Sequence, residues 1–158
     1  MNARSADLVT PAMEKAGYFC ATALPHFDER QVNPLEALDT GTANCVPRAF
    51  FIATILEELE GETGFLVHPN PYEAYAHVMT LAGTAIVNAN SNTQALEITP
   101  LDSSLNLFKG GLVIYGDPIL RLSHYVDMYP DLPKVPERDM VEAQEIVRAR
   151  LKDMPNII

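Results

Sequence analysis

The chain has 158 residues, 47% of them hydrophobic and 20% charged, proportions that fit a folded globular protein and exclude wholesale disorder. This length suits one domain spanning 1–158, large enough to bury a core without disulfide or metal staples. The net charge of -10, with only 11 scattered Lys and Arg, argues against nucleic acid as a partner, because phosphate binding needs clustered cations.

The first residues, Met1-Asn2-Ala3-Arg4-Ser5-Ala6-Asp7, open no apolar run of signal-peptide length. No stretch approaches the roughly 18 apolar residues of a membrane span. The expectation is therefore a cytoplasmic protein that does not engage a membrane. Cys20 and Cys45 are too few for a disulfide framework and are expected as thiols.

Thr10-Pro11 predicts a helix start, with threonine as the cap and proline at the first helical position. Met13, Gly17, Cys20 and Leu24 then recur at helical spacing until Pro25 ends the segment. Residues 25–44 read as loop, with Pro25, Pro34 and Gly41 as breakers and a short helical turn at Leu35 to Leu38. Residues 45–60 give the strongest helix. Their apolar positions surround most of the helix, as expected of one packed on several sides. Pro47 fits only in its first turn, where a missing N–H costs nothing, and this puts Cys45 at the helix N-terminus.

The middle of the chain predicts β structure. Phe65-Leu66-Val67 is a short strand. Residues 74–81 and 84–87 flank a hairpin turn at Ala82-Gly83, and residues 95–98 and 112–115 are further strands. Asp117-Pro118 starts another helix running to Met128. A connector with Pro130, Pro133 and Pro136 leads to a last amphipathic helix at about 137–153, with Met140, Ala143, Val147 and Leu151 on one face.

Cys45, His77 and Asn88 supply thiol, imidazole and amide in the chain order of a nucleophilic acyl-transfer site. A helix N-terminus favours thiolate, since its unpaired N–H groups carry partial positive charge. Near the start of a strand, His77 can take the thiol proton and return it to a leaving amine. The hairpin brings the chain back so that Asn88 can orient the imidazole, with Asn90 as the alternative third residue. Asn44 and Thr42 are candidate oxyanion donors, and Arg48, one turn after Cys45, is a candidate pocket residue. Each has a plainer reading: a core cysteine, a surface or core histidine, turn asparagines, an arginine paired with an acid. Cys20, on the apolar stripe, is expected in the core. No metal site is expected, because His26, His68, His77 and His124 are dispersed and form no HxxxH or CxxC pair.

Through Cys45, His77 within Ala76-His77-Val78, and Asn88, the chain resembles the papain-like and transglutaminase-like cysteine enzymes, most closely the transglutaminase-like branch. The resemblance covers about residues 40–92. It implies an α+β fold in which an antiparallel sheet of four or five strands packs on the Cys45 helix. It also implies a Cys-His-Asn triad working through a thioester without a cofactor, on a peptide or other small amide substrate. Two departures stand out: the chain has no tryptophan, and Asp39 stands where the papain pattern has glutamine. They favour the alternative, a non-catalytic binding or scaffolding module that keeps the fold and engages a protein partner.

Overall fold

Alternating apolar residues in the middle of the chain and helical periodicity on either side assemble into two layers. The computed structural model describes residues 8–68, 77–89, 96–101 and 112–154. Among these, five α-helices are found: α1 (Pro11–Ala23), α2 (Pro34–Thr40), α3 (Cys45–Leu59), α4 (Pro118–Met128) and α5 (Glu137–Leu151). The main sheet contains β3 (Gly64–His68), β4 (His77–Ala82), β5 (Ala85–Ala89), β6 (Leu96–Pro100) and β7 (Leu112–Ile114), in the spatial order β6-β5-β4-β3-β7. Every neighbouring pair in it is antiparallel. The protein is thus α+β, with a five-stranded antiparallel sheet.

The helix starts follow from capping chemistry. Thr10 Oγ1 accepts the Met13 N–H at 3.2 Å, and Asp117 Oδ1 accepts the Ile119 N–H at 2.7 Å; proline opens the helix after each cap. Residues 25–44 are more ordered than breaker counting suggests. Asn33 caps α2 by accepting from the N–H groups of Leu35 and Glu36, and Gly41 ends it at φ 72. On either side, β1 (His26–Phe27) and β2 (Thr42–Ala43) form a short parallel pair. These elements run over only two residues each, too short for periodicity to register.

The hairpin turn lies at Gly83-Thr84, one position beyond the expected Ala82-Gly83, because Ala82 pairs with Ala85. Gly83 takes φ 58, the positive value that two-residue hairpin turns require at their first position. The expected strand over 74–81 is seen from His77 onward; residues 74–76 lie outside the described residues.

Helix α3 is the centre of the core. Cys45 through Leu56 are all buried, as the all-round apolar pattern predicts. Phe19 from α1 meets Phe51 edge-on at a ring separation of 5.2 Å. One sheet face, carrying Phe65, Val67, Val78, Val87 and Ile98, packs on the helices. The other face carries a second, smaller apolar cluster of Leu66, Met79, Leu81 and Ile86. Strand alternation produces this division. Among the described residues no helix is long and apolar enough to cross a membrane.

Candidate functional site

Asn44 decides where α3 begins. Its Oδ1 accepts the Val46 N–H at 2.8 Å, and its Nδ2 donates to the Glu29 carbonyl at 2.9 Å. One fully buried side chain therefore caps the helix and ties the preceding loop to it. Cys45 is the first helical residue, with Pro47 in the first turn. Its side chain is 9% exposed, against 3% for Cys20 in the middle of α1. Burial pushes the Cys20 thiol up to about 12, although the nearby Arg48 guanidinium pulls it down.

Helix α3 runs in the same direction as β4. Thr80 Oγ1 donates to the Ala49 carbonyl at 3.2 Å, and further along, Leu56 and Ala82 line the same cavity. The N-terminus of α3 therefore lies at the end of the sheet where β4 starts and β5 finishes. His77 is the first residue of β4, and Asn88 is the next-to-last of β5.

At that end the imidazole and the amide meet, with His77 Nε2 2.6 Å from Asn88 Oδ1. The register explains the contact. Thr80 pairs with Val87 and Leu81 with Ile86, so Asn88 projects from the same face as Met79 and His77 and reaches His77 across the diagonal. An amide oxygen can only accept, so Nε2 carries the proton in this pair. In the neutral ring this leaves the Nδ1 lone pair as the basic site. Both side chains leave the sheet on the face of the second cluster, whereas α3 packs on the opposite face. The thiol and the imidazole–amide pair thus share one end of the sheet, each on its own side of it.

The remaining candidates have defined positions. Arg48 is buried, and its Nη2 donates to the carbonyls of Leu24 at 3.1 Å and His26 at 3.0 Å. Thr42, in β2, has its hydroxyl 2.8 Å from that of Thr40. Asn90 lies outside the described residues. His124 is exposed on α4, and His26 is exposed on β1. His68 was hidden in the sequence by apparent distance: β3 pairs with β4 so that His68 stands directly opposite His77. Only the pairing of β3 with β4, which no local pattern encodes, could have revealed that neighbour. Glu97 of β6 similarly stands opposite Asn88, so His68, His77, Asn88 and Glu97 form a polar row across four strands. Among the described residues no group of three or more His, Cys, Asp or Glu is arranged to hold a metal ion.

No protein-family model, curated protein or solved structure matches this chain.

Proposed function

We propose that this chain is a cysteine-dependent acyl transferase or amide hydrolase of transglutaminase-like or papain-like architecture, with Cys45 as nucleophile, His77 as general base and acid, and Asn88 as orienter. The observation that carries the reading is the 2.6 Å contact between His77 Nε2 and Asn88 Oδ1 at the sheet end where α3 begins. It fixes the tautomer whose Nδ1 can accept the thiol proton. For this chemistry the His77 ring, on the first residue of β4, must reach the thiol around the strand end, since the two lie on opposite sides of the sheet.

In the reaction, Cys45 Sγ gives its proton to His77 Nδ1 and attacks the carbonyl carbon of a peptide or small amide. The tetrahedral intermediate collapses as the C–N bond breaks, and His77 returns the proton to the leaving amine. The thioester is then attacked by water or a second amine, which loses its proton to His77, and the thiol is regenerated.

The competing reading is a non-catalytic module that binds a protein partner. It is favoured by the internal commitments of Asn44 and Arg48, whose side chains hold backbone groups of the neighbouring loop. A chloroacetamide-bearing peptide separates the two readings. Mass mapping should locate the adduct on Cys45, and His77→Ala should reduce its rate of formation. No adduct at Cys45, or one indifferent to His77, overturns the enzyme reading.

A further inference from the structure

Arg48 is 1% exposed, and among the described residues it has no carboxylate partner. Its Nη2 is held by two backbone carbonyls, which fix the plane of the guanidinium. Its Nε and Nη1 are buried without a hydrogen-bond partner. Two orphaned donors on a buried cation are costly unless an anion compensates them.

The groups within electrostatic reach of this guanidinium are two thiols: Cys20 from α1 and Cys45 from one turn earlier on α3. Burial lowers the affinity of Arg48 for its proton, and both thiols act in the opposite sense. Of the charged groups on the other packed elements, Glu36 and Asp39 of α2, His26 of β1 and Glu29 of the following loop are exposed. Asp139 of α5 is partly buried and accepts from Asn33, and the buried Arg121 of α4 pairs with Glu57 near the far end of α3. The Phe27 ring, 6.0 Å from the guanidinium carbon, covers it on one side. Of the two thiols, only Cys45 stands at a helix N-terminus, where the N–H groups of the first turn also favour negative charge. Cys20 lies mid-helix and stays protonated.

We propose that Arg48 is a positioning residue for the nucleophile: its fixed, buried guanidinium is the counter-charge in which the Cys45 thiol releases its proton, to His77 or to solvent. This rests on Cys45 being the reactive group. It adds a role the triad lacks, a permanent positive charge on the helix side of the sheet, whereas His77 and Asn88 project from the other face. The same guanidinium anchors the loop before α2, so anchoring the loop and activating the thiol depend on one side chain.

The test is the pH profile of Cys45 alkylation by iodoacetamide in the full chain carrying Cys20→Ser. Arg48→Met should move the midpoint upward by a unit or more, which lowers the labelling rate at pH 6 about tenfold. Arg48→Lys, which keeps the charge, should recover most of the loss. Superimposable profiles for folded Arg48→Met and the parent overturn the proposal. If Arg48→Met does not fold, unfolding stability is compared between the parent and Cys45→Ser from pH 6 to 9. A thiol stabilised as thiolate has its folded pKa below its unfolded one, so its contribution is present above the unfolded value and lost on acidification. The parent must therefore gain on Cys45→Ser as pH rises; a flat difference refutes the counter-charge. Because both assays read the thiol without substrate, their outcome is separable from that of the peptide-probe experiment.

Discussion

Replacing Asn44 with alanine tests how the nucleophile is set in place. The side chain is fully buried and makes a cap bond to the Val46 N–H and a bond to the Glu29 carbonyl. Loss of an asparagine cap costs about 1 kcal/mol. Loss of the second bond, to a carbonyl of an exposed residue, costs about 1 kcal/mol more. The expected total is about 2 kcal/mol, a large part of the ~5–15 kcal/mol that typically separates folded from unfolded states. In urea the midpoint should fall by about 1 M, for a slope of about 2 kcal/mol/M. Asn44→Asp should fall between the two, since it keeps the cap and adds a charge favourable to the helix dipole, but sets a second acceptor against Glu29. That same carboxylate, next to Cys45, should slow alkylation of the thiol at pH 7. A loss below about 0.5 kcal/mol for Asn44→Ala would refute the claim that this side chain fixes the start of α3.

Two further outcomes follow from burial. With Cys20 pushed up to about 12, iodoacetamide at pH 7 should label Cys45 in the native protein long before Cys20, and equal rates at the two would contradict the packing of α1. Arg121 donates to Glu57 at 3.1 Å and to Thr63 at 2.8 Å and lies 4.6 Å from the Phe65 ring centre, yet burial raises the Glu57 carboxyl more than Arg121 lowers it. An acid with a raised folded pKa stabilises the fold below its unfolded value and loses that contribution as pH rises through the folded one. The advantage of the parent over Glu57→Gln, read by urea unfolding, should therefore be greater at pH 4 than at pH 7. A parent advantage that grows with pH would show that the pair gains more from attraction than it loses to desolvation.

Much of the fold was legible because several signals agreed at the same place. Around Cys45 the all-round apolar run and the proline in the first turn mark one helix start, and α3 begins there, whereas the capping role of Asn44, expected as an oxyanion donor, emerged only from the structure. The hairpin was legible through Gly83, although the pairing of Ala82 with Ala85 shifts the turn by one residue. Face assignment along β4 followed from period two, with Val78 toward the helices and Met79 in the second cluster. The short β1–β2 pair and the length of α2 were not legible, because two-residue strands have no period and breakers at Pro34 and Gly41 masked a capped helix between them. The site was readable as a set of residue types in order. The unpartnered donors of Arg48 and the place of His68 opposite His77 depend on tertiary pairing, which local pattern does not carry.

The central claim is that His77 and Asn88 act on Cys45 as one unit. The most direct measurement is the Cys45 alkylation rate near neutral pH in His77→Ala, Asn88→Ala and the double variant, each checked for native folding. The account predicts that His77→Ala slows the reaction, that Asn88→Ala slows it less, and that adding Asn88→Ala to His77→Ala changes little, because an orienter without its imidazole has nothing to hold. Fully additive effects, or a His77→Ala rate equal to that of the parent, would contradict it.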